Sequence, residues 1–346
     1  MPHLVAAPDK YRGTASAPEI AAAAAAGARR AGWTATCVPL ADGGEGTLDA
    51  VGGEPRSDTV AGPLGAPVEA QWRLVTSRRP TMRTAVVEMS GASGLALAGG
   101  AARNDPLRAT TRGTGELVLA ALRAGAGRIV VGCGGSATTD GGTGAVEVLR
   151  HEPALRGVEL LVACDVTTRF LDAARVFGPQ KGASPEQVER LEERLAETAA
   201  RYRVDLGVDV TAFPGAGAAG GLAGGLVALG GRIVSGVDLV ADLVGLEGHL
   251  ERADLVVTGE GCLDSTSLAG KVVSGVLRHL AGRAPALVVV GTARDVGAVE
   301  LAAAAHVPTR LVEVESLTEL FGATRALAGP APLVTEVVYG VLSRRP

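Results

Sequence analysis

The stretch VGCGGSATTDGG, residues 131–142, decides how this chain folds. It continues a strand-like run, then sets five glycines beside Ser136, Thr138, Thr139 and Asp140. A strand that ends in glycines and feeds a helix starting near 140–143 is a strand–turn–helix unit of an α/β protein. Such a turn aims main-chain N–H groups outward at the positive end of a helix dipole, and glycine lets a ligand approach the backbone closely. The expectation is an anion held by Gly134, Gly135, Ser136 and Thr138. Asp140 either binds a metal ion or caps the helix, and the turn alone leaves both open.

Four further loops share this design. LADGGEGT (40–47) sets Asp42 and Glu45 among Gly43, Gly44 and Gly46, and FGPQKGA (177–183) offers Lys181. TGEGCLDSTSLAGK (258–271) offers Glu260, Asp264 and Lys271, and APDKYRG (7–13) offers Asp9, Lys10 and Arg12. At least four of the five loops follow expected strands, and open α/β sheets bind ligands at the carboxyl ends of their strands. Carboxylates with lysines suit phosphoryl transfer: lysines neutralise phosphate oxygens, acids hold magnesium, and another acid accepts the proton of an attacking hydroxyl. An aspartate in a glycine loop can equally be a turn residue.

Working outward, HLVAAPD reads as a first strand, 18–31 as a helix opened by proline, and TCVPL as a second strand. The segments 62–75 and 83–89 read as hairpin strands, with turns at Gly62-Pro63 and near Arg79-Pro80. Strands follow at 128–133, 157–165, 254–261 and 286–291, and helices at 113–125, from about 271, and through 333–342. The clearest helix starts at Ser184, with Pro185 in its first turn, Gln187 at the capping-box position, and Val188, Leu191, Leu195 and Tyr202 on one face. The two ends of the chain share a parallel-sheet rhythm that the hairpins interrupt. Residues 1–58 and 236–346 are therefore expected to form one discontinuous domain and 59–235 an inserted mixed α/β domain, with the active site in the cleft between them.

Composition bounds the partners. With 346 residues, 47% hydrophobic and 20% charged, the chain is globular and long enough for two cores. A net charge of −4 argues against nucleic acid or anionic membrane as partner. No apolar run is long enough to span a bilayer, and the first residues carry Pro8, Asp9 and Lys10 where a secretory signal is apolar. Cys37, Cys133, Cys164 and Cys262 show no CxxC spacing and are expected as small buried thiols. The expectation is a cytoplasmic protein, and a homodimer is left open.

Two segments come near familiar nucleotide motifs. Gly270-Lys271 fails as a P-loop, because Ser265 and Val272 stand where glycine and Ser/Thr belong. GAGAAG (215–220) fits GxGxxG with Asp238 about 20 residues on, which keeps an NAD-dependent oxidoreductase as a rival; Pro214 before it favours glycine packing instead.

In chain order, APDKYRG, ADGGEGT, GPLG, GTGEL, GGSATTDGG, ACDV, FGPQKGA, GAGAAGG and TGEG with its following Asp264 and GK are similar to the bacterial type-1 glycerate kinase family, from about residue 5 to 271. The resemblance implies phosphorylation of D-glycerate by ATP, usually at the 2-hydroxyl, with Mg2+, and a flavodoxin-like parallel sheet built from both chain ends. On that basis Asp42 is the first candidate to accept the hydroxyl proton, Asp264 the second, with Lys10 assisting. Asp9, Arg12, Gly43 and Gly44 are placed at the glycerate. Gly134, Gly135, Ser136, Thr138, Lys181 and Lys271 are placed at the nucleotide, and Asp165 and Glu260 at the metal. The chain departs from the family pattern at Arg12, Thr139, Thr168 to Phe170 and Thr266. The charged groups are kept, so the departures bear on the acceptor, and a kinase of another small hydroxy acid is the alternative.

Overall fold

The computed structural model describes residues 1–76, 82–268 and 270–344, so the turn expected near Arg79 and Pro80 lies outside the described residues. In chain order the strands are β1 His3–Ala6, β2 Thr34–Cys37, β3 Glu54–Ala61, β4 Pro67–Thr76, β5 Arg83–Glu88, β6 Arg128–Gly132, β7 Glu159–Ala163, β8 Arg232–Val234, β9 Leu255–Thr258, β10 Cys262–Leu263, β11 Ala286–Val290, β12 Thr292–Ala293 and β13 Val312–Ser316. They fall in two compact units. The first comprises Met1–Asp42, Asp49–Val51 and Val237–Pro346, the second Gly43–Leu48 and Gly52–Gly236. The boundary expected at 58/59 falls inside β3, which pairs along its whole length with β4 and so belongs to the second unit.

In the first unit a five-stranded, all-parallel sheet runs in the order β13-β11-β9-β1-β2, the flavodoxin-like order. Both faces are covered, which explains strands that read as unbroken apolar runs. Leu4, Leu255, Leu287 and Val289 face helices Ala17–Arg30 and Pro330–Leu342. Val5, Val256, Val288 and Val290 alternate with them and face helices Gly236–Val244, Val272–Leu280 and Ala298–Ala305. Helix Ala17–Arg30 starts as the sequence dictates: Ser16 and Glu19 form a capping box, with Pro18 in the first turn.

The second unit is a six-stranded mixed sheet in the order β3-β4-β5-β6-β7-β8, antiparallel up to β5 and parallel from β5 to β8. Trp72, Leu74, Ile129, Val131, Leu160 and Val162 share one apolar cluster with Leu117, Leu149 and Leu222 of the covering helices. Helix Pro185–Leu206 carries the expected Ser184/Gln187 capping box and buries Leu191, Leu195 and Tyr202 against Phe170. Of the cysteines, Cys164 is buried whereas Cys37 is exposed, against the expectation of four buried thiols. Among the described residues no helix is long and apolar enough to cross a membrane.

The segment 215–220 shows what glycine does here. Gly220 has φ +67°, and a Cβ on it would lie 1.9 Å from the Thr138 carbonyl oxygen. Gly220→Ala therefore meets both a strained backbone and main-chain atoms that cannot give way, and should destabilise the protein by roughly 2–4 kcal/mol in urea unfolding. A midpoint equal to that of the wild type would refute this packing.

Candidate active site

The order of the first sheet fixes where a ligand can sit. From β1 the chain moves outward to β2, and the neighbour on its other side, β9, is reached only much later. The helix after β1 covers one face of the sheet and the helix after β9 the other, so the loops leaving these adjacent strands part at the switch point. Asp9 follows β1 and Glu260 follows β9, with Asp9 N–H bonded to the Gly259 carbonyl at 2.9 Å. Thr258 Oγ1 donates to the Ala7 carbonyl at 2.8 Å and Tyr11 Oη to that of Val289 at 2.5 Å, pinning both loops to the sheet.

Three carboxylates interact at this point. Burial, then the charges of Asp42 and Glu260, push the Asp9 carboxyl up to about 7, although Lys10 pulls the other way with its N–H (2.7 Å) and its ammonium. Glu260 is 7% exposed, and burial raises its pKa too; Ser267 and Lys271 oppose that, while Asp264 and Asp42 add to it. Lys10 and Asp42 are half-buried and Arg12 is exposed.

Asp264, the second candidate base, is a turn residue. Its Oδ1 accepts from Thr266 N–H (2.9 Å) and Thr266 Oγ1 (2.6 Å), and these bonds hold its carboxyl below the usual range. Lys271 Nζ donates to the same Thr266 hydroxyl at 2.7 Å, so Thr266 links Lys271 to Asp264.

In the second unit, the glycines of the loop after β6 serve close packing as well as open backbone. A Cβ on Gly134 would lie 2.7 Å from Gly44 Cα, so protein backbone fills the space that glycine leaves. The amides tell more: among the described residues, the N–H groups of Gly134, Gly135 and Ser136 meet no acceptor, as a backbone site for an anion requires. Asp140 is resolved as structural. Its oxygens accept from Thr111 N–H (2.9 Å), Thr111 Oγ1 (2.8 Å), Gly142 N–H (3.1 Å) and Gly144 N–H (3.3 Å).

Two residues expected at the nucleotide lie inside the fold. Thr138 is fully buried, and Lys181, 2% exposed, donates from Nζ to the Thr138 carbonyl at 2.6 Å. The expected metal ligands lie in different units, Asp165 in the second, where its Oδ1 accepts from Gly236 N–H at 2.9 Å, and Glu260 in the first. Among the described residues no three His, Cys, Asp or Glu side chains form a ready metal cluster. Glu260 Oε1 nevertheless is buried without a hydrogen-bond partner among them, which suits a cation that takes its remaining ligands from phosphate and water.

Of the departures from the family pattern, Thr139 is fully buried and Phe170 is a core residue. GAGAAG follows the short 3-10 turn Val210–Ala212 rather than a strand, which removes the support for a dinucleotide loop. Sequence reasoning missed Glu88, whose Oε1 accepts from Leu48 N–H at 2.8 Å and steadies the 43–48 loop. It also missed Asn104, which ties Ala137 to Lys181. Glu88 at the end of a strand was a readable signal; Asn104, in an irregular segment, gave none.

The crowded carboxylates at the switch point of the first unit suit phosphoryl transfer, as do the open amides of the second, and the relatives of the chain make it an enzyme of the kinase class. The profile of the glycerate kinase family matches residues 4–152 and 146–335. The chain belongs to the glycerate kinase family. Glycerate 2-kinase of Escherichia coli K12 is 41% identical over 311 residues, 79% of this chain and 80% of that protein. Glycerate kinase of Bacillus subtilis 168 is 38% identical over 313 residues, 80% and 81% of the two. A crystal structure assigned as a glycerate kinase 2 from Salmonella typhimurium LT2 matches with TM-score 0.78 at 33% identity over 98% of both chains.

Asp9 gives this cluster a measurable sign. Its pKa rises from an ordinary 3.8 to about 7 on folding, so its contribution to stability is present below the lower value and is lost as pH climbs through the upper one. Asp9→Asn should therefore be more stable than the wild type at about pH 8, and the gap should close towards about pH 4. Urea unfolding at both pH values checks it, and a gap that widens on acidification contradicts the assignment.

Proposed function

We propose that this enzyme transfers the terminal phosphoryl group of ATP to the 2-hydroxyl of D-glycerate, giving 2-phosphoglycerate. The observation that carries the reading is the cluster of Asp9, Asp42 and Glu260 at the switch point, flanked by Lys10 and Lys271. The similarity to a protein named glycerate 2-kinase supports the acceptor and the position of attack. A net charge of −4 argues against nucleic acid or anionic membrane as a partner.

The glycerate hydroxyl oxygen bonds to the γ-phosphorus while the bond to the bridging oxygen of ADP breaks, and the hydroxyl proton passes to Asp42. Asp9 beside it holds a proton over much of the neutral range, which limits the negative charge facing an anionic substrate. Lys10 and Arg12 pair with the glycerate carboxylate. In the first unit Lys271 suits phosphate oxygens, and in the second the open amides of Gly134, Gly135 and Ser136 suit the nucleotide phosphates. Magnesium, with Glu260 among its ligands, would neutralise charge on the phosphate oxygens when bound.

Phosphorus NMR of a mixture of enzyme, ATP, magnesium and D-glycerate should show 2-phosphoglycerate. The 3-phosphate would overturn the position of attack, and unchanged ATP the acceptor. Asp42→Asn should lower kcat by about 100-fold or more and leave the KM for ATP within about twofold; a fully active variant removes Asp42 from the role.

A further inference from the structure

Lys181 raises a question that its expected role does not answer. It lies in the turn Pro179–Lys181 and is 2% exposed. Burial pulls its ammonium down to about 7, against the raising effect of Asp140, whose oxygens are already engaged by Thr111, Gly142 and Gly144. Its Nζ meets the Thr138 carbonyl at 2.6 Å. A second tie joins the same segments: Asn104 Nδ2 donates to the Ala137 carbonyl at 3.0 Å and to that of Lys181 at 2.9 Å. Both ties end on the two residues that follow Ser136, the last of the open amides.

An unneeded buried ammonium would be a pure cost in desolvation. Its orientation suggests the use. A planar trans peptide points its C=O and N–H opposite ways, so fixing the Thr138 carbonyl towards Lys181 fixes the Thr138–Thr139 peptide plane. Asn104 fixes the preceding Ala137–Thr138 plane in the same way, so two successive peptides just past Ser136 are held. We propose that Lys181 is a positioning residue: by holding Thr138 it sets residues 134–136 in the conformation that presents their amides to the nucleotide phosphates, without touching the nucleotide. This rests on the reading that those amides bind ATP.

Lys181→Met keeps most of the length, one atom short, and removes the charge. Losing the bond to Thr138 is offset by no longer burying an ammonium, so the variant is expected to melt within about 5 °C of the wild type. Its Kd for a non-hydrolysable ATP analogue with magnesium, read by calorimetry, should rise about tenfold, the equivalent of about 1.4 kcal/mol. The KM for glycerate and the kcat at saturating ATP should stay within about threefold. A folded Lys181→Met with unchanged analogue Kd overturns the proposal. So does a variant that loses affinity for both substrates in step with its melting temperature, as a merely structural tie would.

Should Lys181→Met not fold, Asn104→Ala removes the second tie. Selective weakening of the analogue then supports the inference, and an unchanged Kd overturns it. A wild type that does not bind the analogue defeats the proposed function and this inference together, whereas equal binding by wild type and variant defeats the inference alone.

Discussion

The reversal of strand order between β1 and β9 is the constraint on which the first unit's chemistry rests. Two adjacent parallel strands send their chains to opposite faces of the sheet, so no loop closes over their ends. Side chains placed there lose water on the sheet side, and Lys10 and Lys271 offset only part of that loss. Asp9 and Glu260 occupy that position because each follows its strand by a few residues, and both carboxyls are raised for the same first reason, burial. The perturbation follows from topology.

The second unit solves a different problem with the same residue types. Its loops pack backbone on backbone, as where Gly134 meets Gly44 and Gly220 meets Thr138. Such contacts leave no room for side chains to cross-link the loops from inside. The links come instead from long side chains reaching in from elsewhere: Lys181 and Asn104 to residues 137 and 138, and Glu88 to residue 48. Glycine density here reports loops pressed together, and the open amides from 134 to 136 are what remains for a ligand.

This separates what could be read in the sequence from what could not. Buried parallel strands announce themselves, because a strand covered on both faces has apolar side chains pointing both ways; β1, β6, β7, β9 and β11 were all legible. β3 was not. It is an edge strand, mostly exposed along EPRSDTVA, so it has no apolar alternation to read, and the domain boundary was misplaced into it. The acidic loops were legible as a set, since strand ends collect function in this fold class. Individual roles were not, because they turn on burial. Lys181 and Arg12 look alike as cations in glycine loops, yet one is sealed inside the fold and the other faces solvent. Asp264 and Asp9 look alike as acids after strands, yet local hydrogen bonds lower one carboxyl while burial raises the other.

Asp9 and Lys181 also tie stability to pH. Asp9 has its folded pKa raised, so its ionisation penalty grows from about pH 4 and is complete above about 7. Lys181 has its folded pKa lowered from 10.5 to about 7, so the unfolded chain holds the extra proton above neutrality. The penalty of its buried charge is complete below that point and fades as pH rises through the interval. The two penalties therefore overlap most near pH 7. Acid relieves the first and alkali relieves the second. Neither group contributes most to stability at neutral pH, where both penalties are felt at once.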